Sequence, residues 1–111
     1  MISEPQHSEN NLRALGDIRV LDISRALAGP FCTMMLGDLG ADVIKVERPG
    51  RGDESRSWGP PFLGEPSDAY PGESAYYLAI NRSKRSLTVN LKDPAGQEII
   101  KQLPHAVFEN S

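Results

Sequence analysis

Cysteine and histidine are scarce in this chain. Among its 111 residues stand one cysteine, Cys32, and two histidines, His7 and His105. A single cysteine excludes an internal disulfide and a cysteine-based metal cluster. Histidines confined to the terminal segments leave no serine–histidine–acid constellation to assemble. Long apolar runs are missing too, and none approaches the length needed to cross a bilayer. There is no surplus of positive charge: the formal net charge is −3, which gives no general reason to expect nucleic acid or an anionic membrane as partner. Aromatic residues make up only 6%, too few to interleave with basic ones as on a nucleic-acid surface. The opening residues 1–13 have no apolar core and read as neither a secretory signal nor a transit peptide. The default compartment is the cytoplasm, or the mitochondrial matrix in a eukaryote.

What is present fits one small domain with a modest core. Residues 1–14 are expected to be a disordered leader, with His7 solvated. Ile18–Ile23 is rich in β-branched residues and apolar except for Arg19 and Asp22, which suits a strand covered on both faces. The stretch Ser24–Gly40 then organises the chain. A Gly29-Pro30 turn opens a helix, with Pro30 at a first-turn position where its missing N–H does no harm. Phe31, Cys32, Met35, Leu36 and Leu39 form one apolar stripe at helical spacing, expected to face the core. Gly40 stops the helix, and Val43–Glu47 restarts a period of two.

Arg51–Ser74 is a long proline- and glycine-rich loop, functional or flexible, with Trp58 expected to anchor it by burial. Ala75–Ile80 reads as a short helix. The basic turn Asn81–Arg85 feeds a strand over Ser86–Leu91. Asp93 is a good N-cap with Pro94 at the first helical position, and the helix runs through Leu103 to Pro104. His105–Ser111 begins another strand. The sum is a parallel α/β sheet with flanking helices.

Chemistry can sit at a few places. The Ala28-Gly29-Pro30 turn delivers a helix N-terminus to the carboxyl end of the first strand, where anions are favoured. The glycines there, Gly29, Gly37 and Gly40, do not make the GxGxxG dinucleotide fingerprint. At the end of the second strand, Glu47-Arg48 occupies the position that reads a ribose in nucleotide-binding folds. With Arg51 and Arg56 following, Arg48 suggests a phosphorylated ribose, as in NADP or coenzyme A. A surface salt-bridge cluster with Glu47, Asp53 and Glu54 is the equal alternative. Arg82, Lys84, Arg85 and Lys92 bracket the third strand, as a solvated turn or as a grip on a pyrophosphate beside Arg48. Cys32 lies near a helix N-terminus, where a thiol is activated, but its place on the apolar stripe assigns it to the core. Asp22, Asp38 and Asp42 lack metal-ligand spacing and are expected to be surface or capping groups.

Several runs together carry a resemblance. Leu27–Cys32, Leu36–Gly50 and Gly52-Asp53 resemble the opening of a class III CoA-transferase, the family of formyl-CoA and carnitine CoA-transferases and α-methylacyl-CoA racemase. Asn81–Leu87 and Asn90-Leu91-Lys92 continue it, and Trp58-Gly59-Pro60-Pro61 is similar to the branch that moves CoA between dicarboxylic acids such as succinate and glutarate. The resemblance runs from about Leu15 to Leu103.

It implies a Rossmann-like domain that is incomplete here, residues 15–111 being the N-terminal part of a larger fold whose dimer is interlocked. It also implies coenzyme A as co-substrate, acyl-CoA and carboxylic acids as substrates, and no metal. On this basis Arg48 contacts the adenosine 3′-phosphate. Val89, Asn90, Leu91 and Lys92 hold the adenine–ribose end, Val89 through its backbone and Lys92 through its charge. Ala26 makes a backbone contact to CoA, and Asn110 faces it. Pro104–Glu109 is shorter than the family's segment, and Ser111 stands where the family has an aromatic. The family's catalytic aspartate lies beyond Ser111, so no catalytic residue is expected in the chain, which by itself would be inactive. Beside the transferase stand a racemase or epimerase of the same family and, outside it, an NADP-binding module.

Overall fold

The computed structural model describes residues 13–67, 71–103 and 106–108, the last three by backbone alone. The first apolar run becomes β1, Arg19–Asp22, and the second becomes β2, Asp42–Glu47. They pair in parallel, with Val20 opposite Val43 and Asp22 opposite Lys45. Helix α1, Ala28–Asp38, makes the crossover between them. The chain then turns through a short 3-10 segment, Glu54–Ser57, and a two-rung antiparallel ladder of β3, Phe62–Leu63, with β4, Glu73–Ser74. Helix α2, Ala75–Ile80, leads to β5, Lys84–Thr88. Helix α3, Pro94–Lys101, precedes β6, Ala106–Phe108. The four longer strands form one sheet in the order β5-β2-β1-β6, every pair parallel.

Both faces of β1 and β2 are covered, so these two strands read as near-continuous apolar runs. Leu21, Ile44 and Val46 point one way, toward Val89, Ile100 and Leu103. Val20 and Val43 point the other way, toward Leu15, Ile18 and Leu36. The sequence reverses direction across the sheet between β1 and β6. In such open α/β sheets, ligands bind outside the carboxyl ends of the strands.

Helix α1 departs from the expected orientation. Its buried residues are Pro30, Thr33, Met34 and Gly37, whereas Phe31, Met35 and Leu39 are each 51% exposed. Cys32 is exposed as well, not part of the core. The period was right and the phase wrong by two residues, roughly 200° of rotation. Two contacts outweigh the burial of large side chains. Thr33 Oγ1 donates to the buried Asp22 Oδ2 at 2.7 Å, and a Cβ on Gly37 would meet the Ser83 carbonyl at 3.0 Å. The helix therefore turns Pro30, Thr33, Met34 and Gly37 inward and packs closely at Gly37.

Strand β5 starts two residues earlier than expected and ends at Thr88, because Asn90 opens a turn. Its side chain accepts from Lys92 N, and its carbonyl accepts from Asp93 N. Asp93 caps α3 as anticipated, accepting from Ala95 N at 3.0 Å. Trp58 is half-buried and meets the Tyr76 ring edge-on at 6.2 Å. The expected leader with His7, the Pro104 stop, and Asn110 and Ser111 lie outside the described residues.

Candidate functional site at the carboxyl edge of the sheet

A cavity of about 470 Å3 opens at the carboxyl ends of β1, β2 and β5, within the size range of small-molecule sites. Ile23 and Arg25 line it where β1 ends, and Val46, Glu47 and Arg48 where β2 ends. Gly52–Glu54 form a side wall, and Val89, Asn90, Leu91 and Lys92 close it beyond β5. Five of the seven site residues expected from the sequence thus meet in one place. Ala26 sits one residue past Arg25, outside the lining, in a left-handed conformation with φ +67°. Asn110 is not described. No residue of α1 lines the cavity, so the anion-binding role anticipated for its N-terminus has no support in this geometry.

Arg48 is exposed, and its Nε donates to the Gly52 carbonyl at 2.9 Å. That carbonyl is presented by a tight turn. Gly52 has φ +70°, and a Cβ there would meet Glu47 Oε1 at 2.7 Å, so only glycine fits without strain. Among the described residues no carboxylate pairs with Arg48, and neither does one with Lys92. The surface-cluster alternative for Arg48 therefore does not hold.

For Arg56 that alternative holds in part: Glu47 does pair with it, in a buried site rather than at the surface. The Glu47 carboxylate has Oε1 accepting from Arg56 Nε at 2.6 Å and from Asp53 N at 2.8 Å. Its other oxygen accepts from Arg56 Nη2 at 2.7 Å, from Tyr77 Oη at 3.2 Å and from Ser86 Oγ. Burial alone would raise its pKa. The hydrogen bonds from Arg56, Ser86 and the Asp53 amide outweigh that and bring it down to about 2. An acid bound this fully has no capacity left for a ribose hydroxyl. Arg56 is likewise engaged, its guanidinium 3.8 Å over the Tyr77 ring, which removes it from the set of phosphate-binding candidates.

The basic turn before β5 is not at this cavity. Residues that precede a parallel strand sit at the amino edge of its sheet, and only those that follow it reach the carboxyl edge. Arg82 pairs with Asp38 at 2.8 Å, and Arg85 with Asp42 at 2.7 Å. Lys84 is buried, its Nζ donating to Asp22 Oδ2, the Pro30 carbonyl and Asn81 Oδ1 at 2.9, 2.9 and 2.8 Å. Of the four cations expected to bracket the strand, Lys92 alone lines the site.

Asp22 is also corrected: it is fully buried, not a surface group. Besides Lys84 and Thr33, it accepts from Ser24 N at 2.9 Å and from Ser24 Oγ. Desolvation pushes its pKa up, and the hydrogen bonds from Ser24, Thr33 and Lys84 hold it below the ordinary value. The reading of the sequence also missed Lys45, 0% exposed in the middle of β2. The signal was available. A charged residue inside a run buried on both faces, as in Val43-Ile44-Lys45-Val46, requires a buried partner.

The model of CoA-transferase family III matches residues 15–106. The chain belongs to that family. The human succinyl-CoA:glutarate CoA-transferase is 58% identical over 99 residues, 89% of this chain and 21% of the relative. The succinate–glutarate CoA-transferase of Agrobacterium fabrum is 49% identical over 94 residues, 85% of this chain and 23% of the relative. Among solved structures, a CaiB/BaiF family protein from Brucella suis superposes with a TM-score of 0.75 at 42% identity, covering 86% of this chain and 25% of that one. The chain thus spans about a fifth to a quarter of the length of the relatives it matches. Among the described residues there is no helix long and apolar enough to cross a membrane, and no cluster of three or more metal-ligating side chains.

Proposed function

We propose that this chain supplies the CoA-binding crevice of an enzyme that transfers CoA between carboxylic acids, dicarboxylic acids of the succinate and glutarate type being the preferred pair. Arg48 takes the 3′-phosphate of the adenosine, and Lys92 adds charge at the same end. The backbone of Val89–Leu91 holds the adenine and ribose. Ala26 contributes a main-chain contact where β1 gives way to α1, and Asn110 faces the CoA body. The observation that carries this reading is the convergence of Arg48, Lys92 and the Val89–Leu91 segment on one cavity, where neither cation has a carboxylate partner among the described residues. The kinship with succinyl-CoA:glutarate CoA-transferases supports the choice of acids.

On this reading the nucleophile is a carboxylate outside these residues. It attacks the thioester carbonyl, the C–S bond breaks, and CoA leaves as the thiolate with a mixed anhydride behind it. The thiolate then attacks the protein's own carbonyl in that anhydride, releasing the first acid and leaving a protein thioester. The acceptor carboxylate attacks this thioester, forming a new mixed anhydride and freeing the thiolate, which then attacks the acceptor's acyl carbonyl to give the new CoA thioester and release the protein carboxylate. These 111 residues alone contribute binding and no turnover, and the working enzyme is a homodimer.

Calorimetric titration with CoA, dephospho-CoA and NADPH tests the binding role, with Arg48→Ala as control. CoA is expected to bind tightest, and Arg48→Ala to remove its advantage over dephospho-CoA. Equal binding of the two by the unaltered protein would remove the role given to Arg48.

A further inference from the structure

Two loops flank the cavity, and one buried side chain ties them together. The first follows β1 and carries Arg25; the second follows β2 and runs from Arg48 to Asp53. Between them, within the sheet, lies Lys45. Its Nζ donates to the Ser24 carbonyl of the first loop at 3.3 Å. On the other side it stands 2.9 Å from Asp53 Oδ2 of the second, both side chains 2% exposed or less. The contact is a buried ion pair.

Asp53 is held firmly. Its Oδ1 accepts from Ser55 N at 2.9 Å and Ser55 Oγ at 2.6 Å, and its own amide donates to Glu47 Oε1. The residue before it is Gly52, whose carbonyl receives Arg48 Nε. An unbroken path of contacts therefore runs from Lys45 through Asp53 and Gly52 to the Arg48 guanidinium.

We infer that Lys45 is a positioning residue for phosphate recognition: by bridging Asp53 and the Ser24 carbonyl, it fixes the separation of the two loops and the direction in which Arg48 faces the cavity. The inference rests on the CoA-binding reading above. A buried ammonium is an expensive way to hold two loops, because an apolar strand residue would pack with less desolvation. What the ion pair adds is direction. Asp53 can satisfy Lys45 from one place only, so the loop cannot slide along the edge of the sheet.

The test is a double-mutant cycle read as the ratio of CoA to dephospho-CoA affinity by calorimetry. Lys45→Met is expected to lower that ratio about tenfold, the scale of misaligning one charge-assisted hydrogen bond. In an Arg48→Ala background the same change should lower it no further. Asp53→Asn keeps the acceptor for Ser55 and removes the charge that Lys45 faces, so it should reproduce the loss; it also serves as the second variant if Lys45→Met does not fold. A Lys45→Met or Asp53→Asn protein that loses affinity for both ligands equally, with the ratio intact, would show the pair to be structural only and overturn the inference. Failure of the unaltered protein to distinguish the ligands would instead remove the CoA-binding reading beneath it. Intact discrimination that Arg48→Ala abolishes and Lys45→Met does not would overturn the positioning role alone.

Discussion

The two ends of β5 carry charge of the same sign and use it in opposite ways. Arg82, Lys84 and Arg85, where the strand begins, each meet a carboxylate: Asp38, Asp22 and Asp42 at 2.8, 2.9 and 2.7 Å. Past the far end, Lys92 joins Arg48 from the neighbouring strand, and neither has a carboxylate partner among the described residues. The paired cations hold the crossover helix and the edge of the sheet in place. The other two bring to the cavity positive charge that no carboxylate pairs with among the described residues. Grouping in sequence therefore says little about which cations bind a ligand, and position relative to strand direction says a good deal.

The comparison can be broken most sharply at its buried member. Lys84→Met leaves the Asp22 carboxylate without its cation in a site fully shielded from water. A loss of about 3–5 kcal/mol in unfolding free energy is expected by urea titration, since breaking a buried pair strands the other charge. A loss below ~1 kcal/mol would mean that the amino-end cations are not structural. Acid should act in the same direction. Glu47 has a folded pKa of about 2 against an ordinary 4.5, so the folded state binds fewer protons than the unfolded one between those values. Its contribution, on the order of 3 kcal/mol, is complete above pH ~4.5 and disappears as the pH falls toward 2. Asp22 and Asp53 are lowered too and add to the same slope. Unfolding curves taken from pH 7 to pH 2 should show that decline, and Glu47→Gln should flatten it.

Arg48→Ala sharpens the contrast from the other end. Its expected effect is about 1.5–3 kcal/mol of CoA affinity, the worth of hydrogen bonds to a charged group, with stability within ~0.5 kcal/mol of the parent. The smallest effect belongs to Arg85, whose side chain is 65% exposed in its pair with Asp42. Arg85→Ala should alter stability by less than ~1 kcal/mol, in a salt-dependent way, and leave CoA affinity unchanged in the same titration.

Much of this arrangement could be read from the residues. The alternation of apolar runs with Gly29-Pro30 and Asp93-Pro94 helix starts specified a parallel sheet, and the position of Arg48 after β2 marked its carboxyl edge. The face of α1 could not be read, because Phe31, Met35 and Leu39 outrank Thr33 and Gly37 in hydrophobicity. The packing was decided by a hydrogen bond to Asp22 and by backbone proximity at Gly37, neither of which has a periodic signature. The partners of the buried Lys45 and Lys84 side chains could not be read for a related reason. Their partners, Asp53 and Asp22, lie 8 and 62 residues away in the chain, and only the fold brings them together. Arg56 looked like one more free arginine until Tyr77 and Glu47 closed around it.

Both ends of β5 can be read in one sample by an arginine-directed dicarbonyl reagent, with modification followed at each arginine by mass spectrometry in the presence and absence of CoA. Arg48 should react readily in the free protein and be protected when CoA is added, while the rates at Arg82 and Arg85 should not respond to CoA. Unchanged reactivity at Arg48 with CoA bound, or protection at Arg82 and Arg85 in its place, would contradict the roles assigned to the two ends.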